Sequence, residues 1–285
     1  MLYNYFSTKK FNNLRESLGF EKIDDSIFLC CPKYNFFIDK KIIFNILKII
    51  SPEIIISKDL SLIKKETIKS LIKKNRKVSG YSFIDNLYSD LLIKKTHYTS
   101  IIDISKSIEE IYKSFDNSLK KNIRKAENNG FFVKKAEDIE DFNDYYNLLK
   151  KFRDNLGFRT DSYDTAKKMW DILHNSTNES NYEVFLCLDI NLEILSAMGV
   201  ITNKEDRQLI EVSIARSQKS IKEKLTDNEL LKWEIIKWAK NNNFTYYDLA
   251  GINIEAKKDT KEYNIARYKK NWGGATTPMY FYRNK

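Results

Sequence analysis

The sequence predicts an α/β fold, and two observations lead to this prediction. In the N-terminal third, short apolar runs that suit strands alternate with short amphipathic runs that suit helices. In the C-terminal half, three strand-like segments follow one another with short polar connections, flanked by segments whose apolar residues recur at helical spacing. Such alternation is typical of a sheet covered by helices.

The composition is that of a folded globular protein. The chain has 285 residues, of which 42% are hydrophobic and 13% aromatic, with only 8 glycines and 3 prolines. This size suits one large domain or two ordinary ones. No apolar run approaches the ~20 residues that a membrane span needs, and the first ten residues do not resemble a signal peptide. The three cysteines and two histidines lack metal-ligand spacing, so we expect no metal site and a cytoplasmic location.

The net charge of +10 favours partners that carry negative charge. Nucleic acid, a nucleotide and an anionic membrane surface all meet this condition. The basic residues are spread along the whole chain, however, so a solvated, lysine-rich surface is an equally good interpretation.

The N-terminal elements end in a long helical region. Ser107 and Glu110 have capping-box spacing, which predicts the start of a helix. The helical pattern continues to Asn129 with a break near Asp116, and Gly130 is suited to end it. Before this region we expect strands at Ser26–Cys31, Tyr34–Ile38, Glu53–Ser57, Val78–Ile84 and Tyr98–Ile104, and helices at Lys40–Ile50 and Leu60–Asn75.

The C-terminal half has the order β-α-α-β-β-β-α-β-α-β, which is that of an acetyltransferase-superfamily (GNAT) domain. Its three central strands should form an antiparallel meander. Thr226 and Glu229 have capping-box spacing before the next helix. The expected strands are Phe131–Lys135, Glu183–Leu188, Glu193–Thr202, Gln208–Ala215, Phe244–Leu249 and Pro278–Tyr282, and the expected helices are Ile139–Phe152, Ser162–His174, Asp227–Lys240 and Asp259–Lys270.

Three segments resemble the Fem-like (FemAB/FemX-type) peptidyltransferase family of the GNAT superfamily, whose known members build peptide bridges on cell-wall precursors. They are 118–130 (SLKKNIRKAENNG), 230–251 with its helix LLKWEIIKWAK and strand end YYDLAG, and 266–274 (ARYKKNWGG). The resemblance implies two GNAT-like subdomains: a degenerate one with the linking helix at 1–130, and a catalytic one at 131–285.

The resemblance also implies an activity: transfer of an aminoacyl group from aminoacyl-tRNA onto an amine of a cell-envelope or peptidoglycan-type precursor. It implies no tightly bound cofactor. The alternative enzyme is an acyl-CoA-dependent N-acetyltransferase, with acetyl-CoA as donor and an amino sugar or other small amine as acceptor. A third hypothesis is a degenerate acyltransferase fold that binds nucleic acid without turnover.

Acyl transfer to an amine requires a proton acceptor and stabilisation of the carbonyl oxyanion. Lys269 matches the lysine of the family's aromatic–lysine motif and is the first catalytic candidate, for the oxyanion or an acceptor phosphate. Asp248, near the end of its strand, is a candidate base or a structural cap of the turn into Gly251. Glu211 is the third candidate, with an orientation towards solvent, set by strand alternation, as the alternative.

The loop that precedes the long helix separates the two donors. In acyl-CoA enzymes of the superfamily this loop carries glycines whose backbone amides hold the pyrophosphate. Here Arg216–Leu225 contains no glycine, while Arg216 and Lys219 suit a phosphate backbone, so the loop favours tRNA. A solvated basic loop is the alternative. Tyr247, Tyr268 and Arg124 complete the predicted substrate-binding set, with core packing as the alternative for the two tyrosines.

Overall fold

The computed structural model describes residues 13–14, 16–17, 21–24, 27–30, 53–56, 63–74, 77–82, 84–174 and 180–284. The predicted strand Tyr34–Ile38 and helix Lys40–Ile50 lie outside these residues. By contact density the chain forms two compact units, one of 1–97 with 278–285, the other of 98–277. The two divisions fall within strand β5, Leu92–Asp103, and within the C-terminal strand Ala275–Asn284. The expected division into two GNAT-like subdomains at residue 130 stays a prediction.

In the described part of the first unit, a small mixed sheet is accompanied by helix Lys65–Lys73. Strands β1 and β2 pair antiparallel, as do β2 and β3, whereas β3 and β4 are parallel, and the C-terminal strand β11 joins β4 antiparallel. Ile68, Val78, Leu92 and Tyr282 form its buried core. The elements are β1 Glu21–Asp24, β2 Ile27–Cys30, β3 Glu53–Ile56, α1 Lys65–Lys73, β4 Lys77–Ser82 and β11 Ala275–Asn284.

The second unit follows the predicted element order. Its strands lie in the order β5-β10-β9-β8-β7-β6, and β7, β8 and β9 form the expected antiparallel meander. The helices are α2 Ile108–Ser114, α3 Asn117–Asn128, α4 Ile139–Asn155, α5 Tyr163–Leu173, α6 Gln218–Lys222, α7 Asp227–Asn241 and α8 Lys261–Asn271. The strands after β5 are β6 Phe132–Lys135, β7 Ser180–Leu188, β8 Ile194–Asn203, β9 Gln208–Arg216 and β10 Tyr246–Ile252.

Helices cover both faces of this sheet. Met198 and Val200 of β8 belong to the core beneath α7, together with the buried α7 residues Leu231 and Ile235. Successive strand residues point to opposite faces, so Gly199, between Met198 and Val200, faces α4 instead. Helix α3 packs on the side of α7 that faces away from the sheet, so α7 is buried on nearly its whole circumference.

The predicted capping box at the start of α2 is confirmed. The Ser107 backbone amide donates to Glu110 Oε2 at 2.9 Å, and the Glu110 amide donates to Ser107 Oγ at 3.2 Å. The predicted break near Asp116 is confirmed as well: Phe115 is extended, and the Asp116 side chain caps α3 by accepting from the Ser118 amide.

The predicted capping box at the start of α7 is wrong. Thr226 precedes the helix at φ −107° and ψ 27°, outside the extended conformation of a capping residue, and its side chain makes no capping bond. The Thr226 hydroxyl is instead buried without a partner among the described residues. The first turn of α7 is held by Arg216 and Ser220, through Asp227.

Removal of the α2 capping box should lower stability measurably. Ser107→Ala deletes the hydroxyl that accepts from the Glu110 amide, and losses of this kind cost about 1 kcal/mol. Denaturant unfolding should therefore show a lower midpoint at an unchanged slope. Ser107→Asp keeps an acceptor and should stay close to the wild type. Equal midpoints for the alanine variant and the wild type would contradict the expectation.

Candidate active site

Strands β9 and β10 separate halfway along their length. They pair in parallel only from Tyr246 opposite Gln208 to Asp248 opposite Ile210. Beyond this point each strand has an extra residue relative to its outer neighbour: β9 between Glu211 and Ser213, and β10 between Asp248 and Gly251. Bulges bend strands and redirect side chains, so the two strands diverge where both bulges occur.

A cavity of about 880 Å³ occupies the gap between the diverging strands. Its walls are mostly apolar, with the charged side chains of Glu211, Lys232 and Lys269 among them. The other lining residues come from the end of α4 and the following turn, from β9 and β10, and from α7 and α8: Phe152, Arg153, Leu156, Phe158, Val212, Ser213, Ile214, Arg216, Asn228, Leu249, Ala250, Lys261, Asn264, Ile265 and Tyr268. A mostly apolar pocket with a few convergent polar groups is the usual form of a small-molecule site.

Lys269 lies on α8 and borders this cavity. Its Nζ donates to the backbone oxygen of Gly251 at 2.8 Å, which aims the ammonium group at the end of β10. Burial lowers the pKa of Lys269; the negative charge of Glu211 acts against this shift, and the positive charge of Lys232 adds to it. A partly desolvated cation in an apolar cavity can stabilise developing negative charge more strongly than one in water.

Glu211 is half of a buried ion pair that the sequence analysis did not identify. Its Oε1 accepts from Lys232 Nζ at 2.5 Å and from the Tyr247 hydroxyl at 2.8 Å. Lys232 is only 1% exposed, and its ammonium lies 5.4 Å from the ring centre of Tyr268 and 5.5 Å from that of Trp272. The Glu211 carboxylate borders the cavity. Its Oε2 has no hydrogen bond among the described residues.

Asp248 lies directly behind the cavity wall that Ala250 forms. Its Oδ1 accepts from the Ala250 amide at 2.8 Å and from the Thr99 hydroxyl. Burial raises the pKa of Asp248 from 3.8 to about 6, against the lowering effect of the Thr99 and Ala250 hydrogen bonds. The carboxyl group thus stabilises the bulge of β10 and is poised to titrate near neutrality.

Asp248→Asn should stabilise the protein above pH 6 and have little effect at pH 4. The asparagine oxygen can still accept both hydrogen bonds but carries no charge to bury. The pKa of Asp248 is raised in the folded state, so the protonated carboxyl group stabilises the fold below pH 3.8. This contribution to the free energy of unfolding is lost as the pH rises through 6. Each pKa unit is worth about 1.4 kcal/mol, so the gain at pH 8 should approach about 3 kcal/mol.

Unfolding free energies of the wild type and Asp248→Asn at pH 4 and pH 8 check this expectation. Thr99→Val is a useful companion variant, because it removes one hydrogen bond to the same carboxyl oxygen and leaves the titrating group in place. If the free energy of unfolding differed between the wild type and Asp248→Asn by the same amount at pH 4 and pH 8, burial would not shift the pKa of Asp248.

In the loop before α7, the two predicted cations, Arg216 and Lys219, bind groups of the protein itself. The Arg216 guanidinium donates to the Ser220 hydroxyl, to the backbone oxygens of Ser220 and Leu225, and to Asp227 Oδ1. Lys219 pairs with Asp189 at 2.8 Å and with Glu193 at 2.6 Å. Part of this loop is the short helix α6. Arg216 borders the cavity, but Lys219 does not.

The remaining predicted residues fall into three places. Tyr268 lines the cavity, whereas Tyr247 is fully buried behind it and acts through its hydrogen bond to Glu211. Arg124 lies apart from the cavity on the outer face of α3. The structure therefore brings Lys269, Glu211, Tyr268 and Arg216 to one cavity, with Asp248 and Tyr247 directly behind its walls.

A chain of hydroxyl groups reaches the cavity from the α4 side. The Tyr145 hydroxyl lies 2.5 Å from that of Tyr182 and 2.6 Å from Ser213 Oγ, and Ser213 lines the cavity. Gly199 makes room for this chain, since a Cβ there would lie 2.6 Å from both Ser213 Oγ and the Tyr182 hydroxyl. The one usable sign of this chain in the sequence is a glycine within an apolar strand, which marks close approach.

No family model matches the sequence, and no curated protein sequence matches it significantly. Solved structures do match. FemX superposes with a TM-score of 0.66 at 14% identity, over 96% of this chain and 91% of FemX. L-PGS from Bacillus licheniformis gives 0.62 at 11% identity, over 96% and 90%. The C-terminal (DUF2156) domain of a putative lysylphosphatidylglycerol synthetase from Agrobacterium fabrum gives 0.58 at 9% identity, over 97% and 87%.

At these identities the comparisons establish the fold. The chain has a mixed α/β, GNAT-like fold, as the order of its elements predicts. It is similar in structure to FemX, which bears out the structural part of the Fem-like resemblance. Among the described residues, no helix is long and apolar enough to cross a membrane.

Proposed function

We propose that this protein is an N-acyltransferase that moves an aminoacyl group from aminoacyl-tRNA onto an amine of a cell-envelope or peptidoglycan-type precursor. The observation that carries the proposal is the divergence of β9 and β10 onto a cavity that holds a partly desolvated lysine and a carboxylate, Lys269 and Glu211. A site of this kind supplies both requirements of acyl transfer to an amine.

The proposed reaction assigns one step to each side chain. The acceptor nitrogen attacks the ester carbonyl carbon of the donor, and Lys269 stabilises the oxyanion of the tetrahedral intermediate. Glu211 Oε2 accepts the proton that the nitrogen loses. The ester C–O bond then breaks, and the proton passes to the leaving hydroxyl oxygen of the donor. Asp248 acts indirectly in this scheme, because its bonds to Ala250 and Thr99 shape the cavity wall.

The start of α7 supports tRNA over acyl-CoA as donor. Acyl-CoA enzymes of this superfamily hold pyrophosphate on free backbone amides at this helix end. Here the Asp227 carboxylate is fully buried at that end, where it accepts from Ser220 Oγ and from Arg216. Asp227 and its partner Arg216 thus occupy the helix end at which a pyrophosphate would bind. Acetyl-CoA transfer to a small amine is therefore the second candidate.

The structurally similar proteins support an aminoacyl donor. One is named a putative lysylphosphatidylglycerol synthetase, so its name describes a product in which an aminoacyl group is attached to an anionic lipid. We extend the chemical class to this chain as part of the proposal, together with a cytoplasmic location and peripheral contact with an anionic membrane surface. We also propose the duplicated origin of its two GNAT-like halves, divided near residue 130.

The test gives the purified protein two donors, tRNA charged with a radiolabelled amino acid and acetyl-CoA labelled in the acetyl group. Each is combined with a nucleotide-linked peptidoglycan precursor that bears a free amine, or with an amino sugar. Label that passes from tRNA to the precursor amine supports the proposal. Transfer from acetyl-CoA alone would establish the second candidate, and tRNA binding without transfer in any combination would favour a non-enzymatic nucleic-acid module.

A further inference from the structure

The outer face of helix α3 is predominantly basic, and Glu127 is the one carboxylate of this helix. Leu119, Ile123 and Ala126 are buried on its inner face, against α7. The opposite face presents Lys120, Lys121, Arg124 and Lys125, which border, with three asparagine side chains, a shallow depression of about 570 Å³. We call these four cations the α3 basic stripe. No carboxylate borders this depression.

The charges of the α3 basic stripe are not neutralised within residues 84–174 and 180–284. None of its members forms an ion pair there, whereas Lys167, Lys219 and Lys237 all do. Lys120 Nζ donates to the backbone oxygen of Lys113 at 3.0 Å, a bond that leaves its charge in place.

The spacing of the stripe adds a local energetic cost. Lys120 and Arg124 are four residues apart, as are Lys121 and Lys125, and like charges at this spacing destabilise a helix by a few tenths of a kcal/mol per pair. A helix that served only as packing for α7 would gain from carboxylates at these positions. Although Glu127 lies three residues after Arg124, the helix keeps an excess of positive charge that is suited to an external, negatively charged partner.

RNA fits the stripe better than a membrane does. Residues 117–128 extend over about 16 Å at 1.5 Å per residue, enough for several consecutive phosphates of one strand. Asparagine side chains can donate hydrogen bonds to phosphate oxygens and ribose hydroxyls. Peripheral membrane helices combine cations with apolar side chains that insert among lipids. The stripe and its depression contain no apolar side chain.

A hydrogen bond joins α3 to the start of α7, next to a residue that lines the cavity. Asn122, between the second and third stripe cations, donates through Nδ2 to Glu229 Oε1 at 3.2 Å. Glu229 lies in the first turn of α7, next to Asn228, which lines the cavity. We infer that the α3 basic stripe binds the phosphate backbone of an RNA whose acylated end reaches the cavity. The identity of this RNA as the donor tRNA rests on the proposed function; the binding of RNA itself does not.

The experiment measures binding of uncharged, fluorescently labelled tRNA by anisotropy between 50 and 200 mM salt, so that no turnover is needed. The stripe variant carries Lys120→Gln, Lys121→Gln, Arg124→Gln and Lys125→Gln, which preserve helix propensity. The control variant carries the same loss of charge in exposed residues elsewhere: Lys150→Gln, Lys151→Gln, Lys257→Gln and Lys258→Gln. Circular dichroism verifies that both variants fold.

The stripe variant should bind tRNA about 10- to 100-fold more weakly at 100 mM salt, and the slope of log K against log salt should fall by about 3. The control variant should keep the wild-type slope within one unit. Equal losses in both variants, or unchanged binding in the stripe variant, would overturn the inference. So would a stripe variant that keeps tRNA binding but loses binding to phosphatidylglycerol vesicles. Normal tRNA binding through the stripe without acyl transfer would refute the proposed function alone.

Discussion

Lys269→Ala is expected to lower the rate of acyl transfer by about 100- to 1,000-fold while the protein remains folded. Loss of one group that stabilises an oxyanion typically has an effect of this size. The Lys269 ammonium borders the cavity and is held there by the backbone oxygen of Gly251. Without it, the oxyanion that forms on the ester carbonyl of the donor has lost its stabilising cation. The measurement is single-turnover transfer of label from charged tRNA at saturating acceptor.

Lys270 provides the matched control for this experiment. It is adjacent in sequence, has the same charge, is exposed, and does not border the cavity. Lys270→Ala should retain transfer within about twofold. If both variants lost activity equally, the loss would reflect the charge or folding of α8, and the assignment of Lys269 to the oxyanion would be incorrect.

Lys232→Met should destabilise the second unit by about 3 to 5 kcal/mol. Methionine has a similar length, so the cavity that it leaves is small. The change nevertheless leaves the Glu211 carboxylate in an apolar surrounding with only the Tyr247 hydroxyl as donor. Breaking one side of a buried ion pair has a cost of this order. Denaturant unfolding at pH 7 provides the measurement.

The double variant Lys232→Met with Glu211→Gln distinguishes charge from packing. Replacing both charges by neutral groups of similar size is often nearly neutral, so the double variant should regain most of the lost stability. A double variant as unstable as Lys232→Met would mean that the contacts of Lys232 with Tyr268 and Trp272, and not its charge, stabilise this region.

Local sequence patterns predicted the elements of the second unit well. The meander Ser180–Arg216 follows from apolar strands with short polar connections, and the two-helix region 108–128 follows from a capping box and a break at Asp116. These features depend only on residues that are close together in the chain, so they can be predicted from a single sequence. The fold was therefore predictable where hydrophobic spacing and turn residues agreed.

Parts of the site depend on contacts between residues distant in sequence, and these were not predictable. Lys232 occupies a position that would be solvent-exposed on an ordinary amphipathic helix, but Glu211, Tyr268 and Trp272 surround its ammonium group and the side chain is buried. Its nearest sign in the sequence is its place within the apolar run Leu230–Ile236. The bonds of Arg216 to Leu225 and Asp227 likewise depend on how a glycine-free loop folds back on itself.

Ala250 has a further consequence for the evolution of this chain. It adopts a left-handed backbone, with φ 62°, which costs an alanine roughly 1 kcal/mol or more relative to glycine. The bond from its amide to Asp248 offsets that strain. Substitutions at the two positions should therefore be coupled across descendants of this gene: a lineage that loses a hydrogen-bond acceptor at 248 should acquire glycine at 250, whereas one that retains the acceptor is free to keep a side chain there.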